Sequence, residues 1–178
     1  PSGTVSLLNG STPGIHFPED EYYIRRIRFS ETSDLIPPLK EAGYKIEKDA
    51  YSPNTLCVEF PVKEPHFTKG KRDVSMWEQL EIAAQYQHYW ADNSVSITVT
   101  FKQDEAEQIK EALEMYETRL KAVSFLKYEE TGYKQAPYEP ITKEQYEKMI
   151  SSVTPIQRIT TEEGGVGSKF CTNDTCTI

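Results

Sequence analysis

Between Ser94 and Phe101 the chain alternates without exception. Ser94, Ser96, Thr98 and Thr100 are interleaved with Val95, Ile97, Val99 and Phe101. A period of two is the signature of a strand with one face on a core, so this stretch is excluded from a helix and its inward residues are fixed. The next stretch has the other period. Ile109, Leu113, Tyr116 and Leu120 recur at three- to four-residue spacing within Gln103–Ala122. That segment reads as the longest helix, with Lys110, Glu111, Glu114, Glu117, Arg119 and Lys121 toward solvent. Val123–Leu126 then reads as a last short strand. Strand, long helix, strand is an α/β pattern, and a connection of this length allows the two strands to lie parallel. Antiparallel pairing elsewhere stays open.

The upstream half reads the same way. Glu21–Phe29 is a strand carrying Arg25, Arg26 and Arg28. The three arginines read as charge on a solvated strand face, with phosphate contact as the sharper alternative. Within Ser33–Ala42, Pro37-Pro38 forces the helix to start near Ile36 or Pro37, because proline fits only a first turn. Ser30 and Thr32 offer caps, and Gly43 suits the residue after the helix. Thr55–Val62 is a second strand, in which Cys57 reads as a small buried hydrophobe. Pro65–Asp73, with His66, Lys69, Lys71 and Arg72, reads as a solvated loop. Val74–Tyr89 is a helix capped by Ser75, with Glu78 completing a capping box. Trp77, Leu80, Ala84 and either Tyr86 or His88 form its expected buried face, which makes His88 a satisfied structural histidine.

From Tyr128 the periodicity stops. Gly132–Pro140 is irregular and bounded by prolines, and Thr142–Gln145 caps a short helix reaching Ile150. Thr154–Lys169, with Pro155, Gly164, Gly165 and Gly167, reads as a flexible tether. The resulting division is an α/β body over 1–128, a linker with a short helix over 129–153, and a tail over 154–178.

Charge and cysteines narrow the function. A net charge of −8 argues against a nucleic-acid polymer as partner, since phosphate backbones need a basic face. There is neither an apolar run of membrane-spanning length nor a signal-peptide pattern, so the expectation is a cytoplasmic protein without a membrane partner. A chain opening at Pro1 reads as a piece of a longer polypeptide. The three cysteines divide into Cys57, alone in an apolar run, and the pair Cys171 and Cys176. The intervening Thr, Asn and Asp favour a turn that brings the pair within disulfide reach. A dithiol shuttle, a metal-binding pair and a static disulfide are all open at this point.

The opening stretch Pro1-Ser2-Gly3-Thr4-Val5-Ser6 is uncharged, rich in hydroxyls and permissive in backbone. Such a loop either cradles an anion or is a polar surface turn. Followed by Pro13-Gly14-Ile15-His16, it resembles the substrate-phosphate loop of ribonucleotide reductases, and within them the adenosylcobalamin-dependent, monomeric ribonucleoside-triphosphate reductases. Tyr22–Arg28, Tyr89–Phe101, Gln135–Glu139 and the Cys171…Cys176 pair extend the resemblance in order along the chain. It covers nearly all of this sequence and about the C-terminal quarter of that family's catalytic subunit.

The resemblance implies the closing strands of a ten-stranded α/β barrel, an irregular linker and a flexible tail. It implies that Ser2, Gly3, Thr4, Val5 and Ser6 bind the phosphates of a ribonucleotide substrate. It gives Cys171 and Cys176 the role of re-reducing an active-site disulfide, themselves reduced by a thioredoxin-like partner. The parent enzyme would use adenosylcobalamin and thiyl-radical chemistry to make deoxyribonucleotides. The radical-bearing cysteine and its partner thiols have no match here, so the expectation is a segment inactive without the missing N-terminal part. The alternatives are a stand-alone dithiol redox adaptor and a non-catalytic phosphate-binding module.

Overall fold

A computed structural model describes residues 14–128 and 134–156, and these form two sheets. The first has four strands in the order β2-β3-β1-β6: β1 is Tyr22–Ser30, β2 Lys45–Lys48, β3 Thr55–Lys63 and β6 Tyr138–Pro140. All its pairings are antiparallel, with Tyr22 opposite Lys63, Ser30 opposite Thr55, and Ile24 opposite Glu139. The second sheet is a parallel pair of β4 (Thr98–Phe101) and β5 (Ser124–Lys127). The parallel pairing anticipated from the strand–helix–strand order is therefore present, and the antiparallel half stands beside it.

The helices follow the capping signals. α1 (Ile36–Glu41) begins with its prolines in the first turn. Its cap is Leu35, with no side-chain bond, in place of the anticipated Ser30 or Thr32. Gly43 has φ +87°, the left-handed conformation expected after a helix end. α2 (Met76–Tyr89) is capped by Ser75, whose hydroxyl accepts from the Glu78 N–H. α4 (Lys143–Ser151) opens on a complete capping box between Thr142 and Gln145.

The crossover between β4 and β5 departs from the expected single long helix. Residues Gln103–Gln108 form a 3₁₀ helix, and α3 runs only over Ile109–Tyr116. The buried Glu105 carboxylate accepts from both Lys102 N and Met76 N, which tightens the first turns and ties them to α2. At the other end Arg119 folds back onto Glu81, and the chain leaves the helix. α2, with 14 residues, is consequently the longer helix.

The apolar core lies between α2, α3 and β4: Met76, Leu80, Ala83, Ala84, Ile97, Val99, Ala112 and Tyr116. Val95 and Phe101 pack against it, so the alternating stretch turns the expected side inward, although only its second half pairs as a strand. The buried stripe of α2 is Met76, Gln79, Leu80, Ala83 and Ala84. It has helical period but is rotated from the expected one. Of the expected face, Leu80 and Ala84 are buried and Trp77 packs against the core, while its C-terminal members turn outward. Tyr86 and His88 are exposed, and Trp77 is only half-buried.

The outer edge of β4 is closed by side chains and loop. Gln79 donates to Thr100 O at 2.7 Å and accepts from Thr100 N at 2.9 Å, taking the place of a strand neighbour. Further along the edge, Ile15 N donates to Ser96 O and Thr98 N donates to His16 Nε2.

Two strands were not anticipated. β2 and β6 are short, charged or proline-containing, and acquire their conformation by pairing with β3 and β1. Residues 138–140, expected to be irregular, are thus part of the sheet.

Candidate functional site

The residues anticipated to carry chemistry, Ser2–Ser6 and the Cys171/Cys176 pair, lie outside the described residues. The structure shows how the chain is anchored just after the first and just before the second.

At the entry, Gly14 has φ +60° and sits so tightly that a Cβ would come within 2.9 Å of Ser96 O. Together with the bonds made by Ile15 and His16, this pins residues 14–16 along the edge of β4. A cavity of about 420 Å³ opens beside them, walled by Phe17, His66, Phe67, Lys69 and Tyr86. A second, of about 610 Å³, lies between the end of α2 and residues 118–121. Tyr89 and Trp90, at 81% and 85% exposure, stand at that helix end.

At the exit, α4 lies against the four-stranded sheet, with the rings of Tyr22 and Tyr146 5.2 Å apart. Thr154 N then donates to Ala42 O at 2.9 Å. A Cβ on Gly43 would meet Ser152 O at 2.6 Å, so glycine is required there for space as well as for its backbone angle.

No family model matches the chain. Individual proteins do. It is 44% identical over 185 residues to a probable adenosylcobalamin-dependent ribonucleoside-triphosphate reductase of Dictyostelium discoideum, covering 100% of this chain and 24% of that protein. It is 45% identical over 188 residues to the adenosylcobalamin-dependent enzyme of Euglena gracilis, covering 99% and 25%. A crystal structure of a B-12-dependent (class II) ribonucleotide reductase superposes with a TM-score of 0.76 at 44% identity, over 87% of this chain and 22% of that one. The chain is related to the C-terminal part of adenosylcobalamin-dependent ribonucleoside-triphosphate reductases. It spans about a quarter of the length of the curated relatives it matches.

Within this reductase segment the arginines of β1 correct the expectation of a solvated face. Arg26 is 9% exposed and pairs with Glu59, itself 5% exposed, and with Glu139. Arg28 pairs with Asp49 at 2.8 Å. Burial works against the charge of Asp49, yet Arg28 and the N–H groups of Ser52 and Tyr51 hold its carboxyl below the usual range. Arg25 lies 4.2 Å over the ring of Tyr138. Arg26 and Arg28 are thus engaged by carboxylates within the chain, whereas the Nε of Arg25 is buried without a hydrogen-bond partner among the described residues.

Cys57 is 1% exposed in β3. Burial pushes its thiol up, against the opposing influence of Arg28 and Arg26, and that suits a packed residue rather than a reactive thiolate. His88, expected on a buried face, is exposed and meets Tyr89 edge-on at 4.5 Å. The 65–73 loop is largely a solvated connection, with Lys69 on Glu78 and Lys71 on Glu19. Among the described residues no group of three or more His, Cys, Asp or Glu is placed to hold a metal ion, and no helix is long and apolar enough to cross a membrane.

Proposed function

We propose that this chain supplies two parts of a ribonucleotide reductase that converts ribonucleoside triphosphates to 2′-deoxyribonucleotides in the cytoplasm: the loop that holds the substrate phosphates and the C-terminal dithiol. The supporting observation is identity above 40% along essentially the whole chain to reductases named for this reaction. Neither a stand-alone redox adaptor nor an unrelated phosphate-binding module accounts for it. The parallel β4–β5 pair with its helical crossover supports a place among the closing strands of a ten-stranded α/β barrel, with residues 1–128 as its C-terminal part, 129–153 as connection and 154–178 as the dithiol tail.

In this reading Ser2, Thr4 and Ser6 offer hydroxyls, and Gly3, Thr4 and Val5 offer backbone N–H groups, to the phosphates. Ribonucleotide reduction takes two electrons and two protons and releases the 2′-hydroxyl as water. Two active-site thiols supply them and end as a disulfide. Cys171 and Cys176 then exchange with that disulfide: two thiols become a disulfide on the arm, and the active-site disulfide becomes two thiols. A thioredoxin-like dithiol restores the arm. The active-site thiols and the thiyl radical belong to the remaining three quarters of the enzyme, adenosylcobalamin is the cofactor of the parent enzyme, and the segment alone is inactive.

The test uses the full-length reductase containing this segment. Cys171→Ser and Cys176→Ser should each abolish thioredoxin-driven deoxynucleotide formation and leave turnover driven by dithiothreitol. Survival of thioredoxin-driven turnover would remove the shuttle role. Ser2→Ala with Thr4→Ala should raise KM for the triphosphate roughly tenfold, the loss of one or two charge-assisted hydrogen bonds. An unchanged KM would sink the phosphate-loop reading.

A further inference from the structure

Three aromatic side chains stand in solvent at the C-terminal end of α2. Tyr86 is half exposed, and Tyr89 and Trp90 are the most exposed large apolar side chains among the described residues. Single exposed apolar residues are ordinary. A cluster of large rings is not, because Tyr and Trp gain most from being covered and are the usual anchors of interfaces. The cluster is also held in place. Gln87, on the same turn of helix, donates to Ala91 O at 2.9 Å and to Asn93 O at 3.0 Å, and accepts from Val95 N at 3.0 Å. Tyr86 O takes the N–H groups of both Trp90 and Ala91, and Lys121 donates to Asp92 O from the turn before β5. The chain leaving α2 is therefore fixed, and a surface ordered in advance loses little entropy when it is covered. Beside Tyr89, the groove of about 610 Å³ against residues 118–121 is open to incoming side chains. The same half of the molecule is unfinished in a second way. Among the described residues β5 pairs only with β4, and its Leu126 is 58% exposed, whereas parallel strands are ordinarily covered on both faces.

We propose that Tyr86, Tyr89 and Trp90 form a docking surface for the preceding part of the same reductase polypeptide. The inference rests on the reading of this chain as part of a longer reductase. The matched relatives devote only 24% and 25% of their length to it, so the larger share of the enzyme has to pack on some face of this segment. The ordered aromatic cluster, next to an open groove and an incomplete parallel sheet, is the face that gains most from being covered. Its occupant is apolar where it meets the rings and offers acceptors to the Trp90 N–H and the tyrosine hydroxyls.

The test is hydroxyl-radical footprinting of the full-length reductase, read residue by residue by mass spectrometry, with the denatured enzyme as reference. An uncovered ring is modified nearly as fast in the native enzyme as in the denatured one. Docking predicts roughly tenfold slower modification of Tyr89 and Trp90 in the native enzyme, as expected of rings in a desolvated interface. The protection should hold at every protein concentration and without added ligand. Trp90→Ala should then speed the modification of Tyr89, since loss of one anchor admits water to its neighbour. Rings modified at the denatured rate overturn the docking surface, and so does an unchanged Tyr89 in a folded Trp90→Ala enzyme. Protection that vanishes on dilution would place a second copy there. Protection that needs a ribonucleoside triphosphate or adenosylcobalamin would make the rings a ligand site. Either result overturns the proposal. Dithiothreitol-driven turnover of the same preparation separates the two claims. Unprotected rings in an enzyme that reduces ribonucleotides sink the docking surface alone. Protected rings in an enzyme that does not reduce them leave the surface standing and sink the reductase reading.

Discussion

The two sheets are held by different forces. Around β4 and β5, eight apolar side chains from α2, α3, β4 and the residue before it form one cluster, and the buried polar groups there among the described residues, Gln79, Thr100 and Glu105, complete backbone hydrogen bonding. In the four-stranded sheet, one face carries a run of charges: Arg26 between Glu59 and Glu139, Lys45 between Glu47 and Glu59, Arg28 on Asp49. The first arrangement is non-directional and gains free energy from area removed from water. The second contributes little net stability but penalises any other register, because a slipped strand would bury an unpaired charge. That suits its place: the sheet must hold β6, a strand too short to hold itself.

Breaking the apolar side should have the largest effect. Leu80→Ala removes a side chain that is 1% exposed, and should cost about 3–4 kcal/mol in urea unfolding, from lost burial and the cavity left behind. Arg26→Ala leaves the buried Glu59 with only the half-exposed Lys45 as partner and should cost about 3 kcal/mol. Replacing the pair together, Arg26→Met with Glu59→Leu, should recover most of it, since the remaining partners Lys45 and Glu139 are about half exposed. Full recovery of the Leu80 loss by a comparable swap is not expected. If instead the arginine variant is neutral, the contrast between the sheets fails.

Gln79→Leu should cost about 2 kcal/mol, as it leaves the N–H and C=O of Thr100 without partners at the edge of β4. Hydrogen exchange should show the loss at Thr100 first. The smallest effect concerns the surface pair linking α2 to the turn after α3. Hydrogen bonds from Arg119, Gln85 and Tyr116 hold Glu81 down to about 2, from an ordinary 4.5. A carboxyl with a depressed folded pKa stabilises fully above its unfolded value and loses that contribution as pH falls toward the folded one. Stability should therefore decline between about pH 4.5 and 2, by an increment that Arg119→Ala removes. An identical pH profile in that variant would show that the pair contributes nothing.

Much of the architecture is legible in the chain because it is encoded within a few residues. Ser75 announces α2 (Glu78, expected to close a capping box with it, pairs with Lys69 instead), Thr142 and Gln145 announce α4, Pro37-Pro38 and Gly43 bracket α1, and the alternation before Phe101 turns Ile97 and Val99 inward. In each case the group that satisfies the backbone, or the period that builds a face, lies within about one turn or one strand. The family is legible too, because its matching segments recur in order. The rotation of α2 is not. Trp77 and Tyr86 are more hydrophobic than Gln79, yet Gln79 is buried because its amide completes an edge at Thr100, 21 positions further along the chain.

The sequence by itself therefore determined the helices and their caps, the strands β1 and β3, the inward side of β4, and kinship with the reductases. Tertiary structure decided the rest. β2 and β6 exist only because β3 and β1 offer them a ladder. Arg26 is buried, and Arg25 and Arg28 half-buried, because their carboxylates and carbonyls arrive from segments between 21 and 113 positions away. Local patterns record bonds that a short peptide can make with itself. A charge reads as solvated until the chain has closed and brought a distant partner to neutralise it.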